Sequence, residues 1–137
     1  MKIYVIRHGL TGLNKQKKVN GQIDEPLIPE GIEQAQVATS LIPESVKYIY
    51  SSPLQRARYT AEIINSKLNR PISSSEELSE IHMGTLAGYS WNEVLIITHG
   101  GIIRLLYLLE QNKVVDETEK HVSLLTFDLD KILKNST

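Results

Sequence analysis

Arg7 and His8 stand side by side ahead of Gly9, Arg56 closes the run Ser51-Ser52-Pro53-Leu54-Gln55, and His99 precedes Gly100-Gly101. These side chains suit the handling of a phosphate ester. A phosphomonoester is a dianion, so cleaving it takes fixed cationic donors on the equatorial oxygens and a nucleophile in line with the leaving oxygen. Arginine offers two parallel donors and stays charged at any working pH, where lysine is only a point charge. A histidine that is neutral at the attacking nitrogen can accept a phosphoryl group, and neighbouring positive charge disfavours the imidazolium. Arg7 and Arg56 would thus keep His8 unprotonated. Departure of an alkoxide near neutral pH also calls for a general acid, a role worth about 10²–10⁴-fold in rate, and Glu80 is the candidate. The same arginines would repel a bound cation, and the two histidines lack the one-turn spacing of a metal-binding pair. No metal or organic cofactor is expected.

The chemistry needs a frame that brings residues 7, 8, 56 and 99 together. Residues 2 to 6 are β-branched and aromatic and end at a glycine turn, as a buried strand does. Helical spacing of Ala35, Ala38, Leu41 and Ile42, with Pro29 tolerated in a first turn, predicts a helix over about residues 29 to 42. A second short strand is expected over 46 to 50. Ser52, Pro53 and Gln55 then read as N-cap, first-turn proline and capping-box partner of a helix whose buried stripe is Leu54, Ala57, Ala61, Ile64 and Leu68. Arg56 falls in its first turn, off that stripe, where it can face a ligand.

An apolar strand over 94 to 98 ends at His99, and the Ile- and Leu-rich stretch to Leu109 predicts a buried helix. A strand near 122 to 128 closes the chain. Strands alternating with helices imply an α/β fold, a three-layer sandwich with a mainly parallel sheet and helices on both faces; ligands of such sheets sit beyond the carboxyl ends of the strands. His8 and His99 both fall on that edge.

The 137 residues, 41% of them hydrophobic, suit one domain with a single core. A net charge of −1 with scattered Lys and Arg leaves no wide basic field, which speaks against a nucleic-acid partner. The absence of cysteine excludes disulfides, a thiolate nucleophile and a Cys-ligated zinc site. The run Ile3 to Ile6 is too short for a signal-peptide core and no longer run approaches a membrane span, so a cytoplasmic enzyme is expected. Oligomeric state stays open.

Five blocks, in order, carry a family resemblance. Arg7-His8-Gly9-Leu10-Thr11-Gly12-Leu13-Asn14 fits the pattern R-H-G-x-T-x-x-N; Gly21-Gln22-Ile23-Asp24-Glu25-Pro26-Leu27 is followed by Gly31; Ser51-Ser52-Pro53-Leu54-Gln55-Arg56-Ala57 fits S-S-P-L-x-R-A. Leu78-Ser79-Glu80 precedes Gly84 and Gly88, and Thr98-His99-Gly100-Gly101 comes last. The chain resembles the histidine phosphatase superfamily, in its phosphoglycerate-mutase-like branch. The resemblance implies a phosphate acceptor at His8, phosphoryl binding by Arg7, Arg56 and His99, and a proton donor at Glu80. Asn14, the loop Asn20-Gly21-Gln22 and Gly100 would assist substrate at the pocket rim. A small phosphorylated metabolite is the implied substrate.

Two departures stand out. The family usually carries a helical insertion of several dozen residues between the acid block and the second histidine strand, whereas here Gly88-Tyr89-Ser90-Trp91-Asn92-Glu93 runs almost directly into Val94. A deletion would leave an open site; residues left out of the sequence would look the same, and that second explanation is the expectation. Cα atoms about 3.8 Å apart across 88 to 94 would mark a continuous chain. At Ile28 the family commonly offers a hydroxyl that could cap the next helix, and isoleucine cannot.

Blander roles compete with these. His82 and His121 read as structural or surface residues, Arg104 as a residue that pairs with a buried acid or snorkels, and Trp91 receives no role. Hydrolysis of phosphomonoesters is the leading expectation. A phosphoglycerate-type mutase, which must keep the phosphate in a closed pocket, and a non-catalytic phospho-ligand-binding module are the alternatives.

Overall fold

A computed structural model of the chain describes residues 2–18, 20, 23–74, 76–79, 94–111 and 124–135. Glu80, Gly21, Gln22, His82, His121, Trp91 and the continuity of the chain across 88 to 93 lie outside them. Strand β1 (Lys2–Arg7) owes its interior place to its composition. Ile3 and Val5 are buried on one face and Ile6 on the other, so an uninterrupted apolar run has no solvent side. The same alternation recurs in β4 (Val94–Thr98), where Ile96 faces one way and Leu95 and Ile97 the other.

With β2 (Tyr48–Ser51), β3 (Ile72–Ser74) and β5 (Leu124–Asp128) these form one sheet in the order β3-β2-β4-β1-β5. All pairings are parallel except that of β5 with β1. Helices α2 (Pro29–Ala38) and α3 (Gln55–Leu68) supply Ala38, Ala57, Ala61 and Ile64 to one face, and α4 (Gly100–Gln111) and α5 (Leu129–Asn135) supply Ile103, Leu106 and Ile132 to the other. The expected three-layer α/β sandwich is the observed one.

Several boundaries differ from expectation. The helix expected over 29 to 42 is α-helical only to Ala38, then tightens into a 3₁₀ turn, Thr39–Leu41, and Ile42 is extended. The strand expected over 46 to 50 is shifted to Tyr48–Ser51. Neither β3 nor the short helices α1 (Gly12–Lys15) and α5 was foreseen. Helix α4 is buried on one side only, since Leu105 and Leu108 are exposed at 39% and 42%.

The Ser52 N-cap is also corrected. Helix α3 begins at Gln55, with Leu54 as its N-cap and no side-chain cap bond, because Ser52 Oγ accepts instead from the Leu54 N–H at 3.3 Å and closes a turn ahead of the helix. The orphan Gln55 N–H is taken by the Asp24 carboxylate at 2.7 Å, and the Gln55 side-chain amide donates back to the Asp24 carbonyl. An aspartate 31 residues away thus does the capping. The N-cap of α2 is Ile28, which makes no side-chain cap bond, as expected.

One close approach shapes the loop after β1. A Cβ at Gly9 would lie 2.6 Å from the Gly31 carbonyl oxygen, and a Cβ at Gly31 would run into the backbone of Leu10. The first turn of α2 and the loop holding His8 therefore touch backbone to backbone. Replacing Gly31 by alanine is expected to cost about 1–3 kcal/mol, the usual range for overpacking, read as a lower denaturant midpoint.

Candidate active site

Three adjacent parallel strands end at the same edge. The register pairs Arg7 with Thr98 and Ser51 with Ile97, and the ladder runs on through His8 N–H to Thr98 O at 3.0 Å and Ser52 N–H to Ile97 O at 3.2 Å. His8, His99 and Ser52 therefore follow β1, β4 and β2 side by side. The two imidazoles lie 5.2 Å apart between centroids, edge to face. Residues 91 positions apart in sequence meet because β4 inserts between β1 and β2.

His8 is 3% exposed. Its Nδ1 lies 2.8 Å from the Gly9 carbonyl oxygen, which can only accept, so Nδ1 carries the proton. Its Nε2 accepts from the Arg56 Nε–H at 3.3 Å, which requires a bare nitrogen there. Both bonds specify the same neutral tautomer, with a lone pair on Nε2.

Arg56 lies in the first turn of α3, and although the sequence places it off the apolar stripe, it is buried, 3% exposed, one turn before the buried Thr60. Its Nη1 donates to the Ile23 carbonyl at 2.7 Å. Burial lowers its pKa, while Asp24 and Glu25 raise it. Arg7, the last residue of β1, is lowered by burial first and then by the charges of Arg104 and Arg56. Arg104 is exposed on α4, and its charge reaches Arg7. Cationic side chains thus gather at this edge, with Arg104 and Arg56 both acting on Arg7.

His99 follows β4 and its carbonyl accepts from the Ile103 N–H at 3.2 Å, so it stands at the head of α4. Gly100 opens that helix, whose first amide protons favour an anion. Burial, then Arg56, then Arg7 hold the His99 pKa down at about 4, against an ordinary 6.5. The unfolded chain therefore takes up this proton before the folded one does, and stability falls as pH drops from 6.5 towards 4. A His99→Gln variant is expected to lose less stability than the wild type over that window in chemical denaturation.

Asn14 and Asn20 both turn inward to Thr11. Thr11 caps α1 in a reciprocal capping box with Asn14, its hydroxyl donating to Asn14 Oδ1 at 2.9 Å. Asn20, 8% exposed, donates from Nδ2 to the same hydroxyl at 2.9 Å. Glu25 accepts from the Leu13 N–H through both carboxylate oxygens at 3.1 Å. Rim residues thus hold one another's backbone in place. Sequence reasoning missed Asp24 and Glu25, although both lie in the quoted Gly21 to Leu27 block, and missed that Ser52 Oγ lies 2.8 Å from His99 Nε2. Among the described residues no group of three or more His, Cys, Asp or Glu could hold a metal ion.

Comparison with known proteins gives these positions a context. Over 87 residues the chain is 40% identical to the probable phosphoglycerate mutase GpmB of Escherichia coli; the match takes in 63% of this chain and 40% of that protein. The chain thus spans about 40% of the length of the curated relatives it matches. Its fold is similar to that of a phosphoserine phosphatase from Entamoeba histolytica solved with 3-phosphoglyceric acid. There the TM-score is 0.76 and the identity 22%, covering 94% of this chain and 91% of the other. A mycobacterial glucosyl-3-phosphoglycerate phosphatase solved with VO3 gives a TM-score of 0.74 at 18% identity, over 91% and 90% of the two chains. Residues 3–94 match the histidine phosphatase superfamily, branch 1, a span that holds Arg7, His8 and Arg56 and stops just before His99, which the sheet brings to them. The chain belongs to the histidine phosphatase superfamily.

Proposed function

We propose that the chain is a metal-independent phosphomonoesterase that works through a phosphohistidine on His8. The observation that carries this reading is the His8 ring itself: Nδ1–H is tied to the Gly9 carbonyl and Nε2 is left bare beside Arg56. In the reaction the phosphate settles against Arg7, Arg56 and His99, and Arg56 Nε–H exchanges His8 for a phosphoryl oxygen. Nε2 then attacks phosphorus as the bond to the leaving oxygen breaks, and Glu80 protonates that oxygen. Water next attacks phospho-His8 while giving a proton back to the Glu80 carboxylate, the P–N bond breaks and inorganic phosphate leaves.

Glu80 takes its role from the family resemblance. Its support is that the 3₁₀ turn Glu76–Ser79, directly before it, brings the Leu78 carbonyl 3.5 Å from Thr98 Oγ1, next to His99. Asn14, Asn20, Gly21, Gln22 and Gly100 complete the rim in this reading. In this reading residues 1–137 form one such domain, and hydrolysis is preferred to a phosphomutase, which must keep its phosphate in a closed pocket. The substrate is a small phosphorylated metabolite met in the cytoplasm. No helix among the described residues is long and apolar enough to cross a membrane.

Release of inorganic phosphate from an aryl and from an alkyl phosphate tests this. Wild type is expected to release phosphate from both. Glu80→Gln is expected to lose far more on the alkyl ester, whose leaving group needs protonation, up to about 10²–10⁴-fold. Equal losses would remove Glu80 as the acid, and transfer of the group to a second substrate without release would favour the mutase.

A further inference from the structure

The two ring nitrogens of His99 have unlike surroundings. Nε2 lies 2.8 Å from Ser52 Oγ, whereas Nδ1 is buried with no hydrogen-bond partner among the described residues. Ser52 is 1% exposed, and its Oγ also accepts from the Leu54 N–H at 3.3 Å. A neutral imidazole donates from one nitrogen and accepts at the other, so the serine and the ring must agree on who gives the proton.

Suppose Nε2 held the proton. Ser52 Oγ would then accept from both the ring and the Leu54 amide, and its own hydroxyl proton would be buried with no acceptor among the described residues. Nδ1 would turn a lone pair towards an incoming anion. With the proton on Nδ1, the Ser52 hydroxyl donates to Nε2 and accepts from the Leu54 N–H, so of these groups only Nδ1–H is left to find a partner. Buried polar groups are paired as a rule, and an exception calls for a ligand or a function. Burial and the arginines keep the ring neutral at pH 7, so the place of its single N–H decides whether His99 can donate at all.

We propose that Ser52 is a positioning residue that fixes His99 as the Nδ1–H tautomer, the form able to donate to a phosphoryl oxygen. The donation rests on the phosphatase reading above; the tautomer does not. The two histidines then carry the same tautomer for opposite purposes. His8 has its Nδ1–H tied to Gly9 and offers the Nε2 lone pair, while His99 has its Nε2 tied to Ser52 and offers Nδ1–H. One ring supplies the nucleophile and the other a neutral donor, without either becoming an imidazolium.

Protein labelled with nitrogen-15 in histidine, examined by long-range proton–nitrogen correlation at pH 7 and assigned with His99→Gln, reads this directly. Wild type should show His99 Nδ1 protonated and Nε2 bare. Ser52→Ala should shift the ring towards a mixture of tautomers and lower kcat/KM by roughly 10–100-fold, on the scale seen when a metal-bound imidazole loses the partner that orients it. Ser52→Thr, which keeps the hydroxyl, should restore both, and it tests the idea even if the alanine variant folds poorly. Nε2 protonated in the wild type or in folded Ser52→Thr, or an unchanged tautomer in folded Ser52→Ala, would overturn the proposal. Because the spectrum needs no turnover, a protein with Nδ1–H in place but no phosphatase activity would support the Ser52 assignment while contradicting the catalytic reading.

Discussion

Replacing His8 by alanine is expected to lower turnover of an aryl phosphate by about 10³-fold or more, with the protein still folded. Loss of a nucleophile removes the covalent route outright, and what survives is the rate the remaining donors can support. The folded state should tolerate the change better than the chemistry does. The His8 ring bonds the carbonyl of its own neighbour Gly9, and the ladder bond from His8 N–H to Thr98 O stays when the ring is removed. A variant that keeps its melting transition and loses its turnover would separate the two roles. Turnover that survives would remove His8 as the acceptor.

Arg56 carries the second large effect. Its Nε bonds His8 and its Nη1 bonds the Ile23 carbonyl, so the guanidinium is aimed by two contacts before any substrate arrives. Arg56→Ala is expected to lower kcat/KM on an aryl phosphate by about 10²–10³-fold, the usual cost of one preorganised donor to developing charge. Arg56→Lys should recover only a small part, because an ammonium cannot make both bonds from one plane. Inhibition by vanadate should weaken in parallel in both variants. Full activity in Arg56→Lys would mean that charge alone, and not the aimed fork, is what the site uses.

Much of this was legible in the sequence, for reasons that differ between elements. β1 and β4 could be read because strands buried on both faces are uninterrupted apolar runs, and α2 and α3 because their buried residues recur at helical spacing. The edge strand β3 could not. It is three residues long, ends in Ser73 and Ser74, which are both exposed, and owes its state to pairing with β2 and not to its own composition. Propensity yields to tertiary context in such a segment.

The site divides in the same way. Arg7, His8 and His99 follow from their places at strand ends, and Arg56 from its place in a first turn. Partners of those residues do not follow from spacing. Ser52, Pro53 and Gln55 have the form of a local capping motif, yet the real cap is Asp24, and Ser52 serves the turn and His99 instead. Capping by a distant loop leaves no periodic trace in the sequence, because it depends on where the rim loop lands. Asp24 and Glu25 stood in a recognisable block without any sign that one holds α3, the other α1, and both act on the charge of Arg56.

The central claim is that His8 takes the phosphoryl group, and one measurement meets it head on. Wild-type protein is mixed with a radiolabelled aryl phosphate, quenched in alkali during turnover, digested and sequenced by mass spectrometry. The label is expected on the peptide holding Arg7-His8-Gly9, on the His8 ring, stable to alkali and lost in acid, and absent from His8→Ala. Turnover with no labelled peptide, or a label on a serine, threonine or carboxylate, would contradict it.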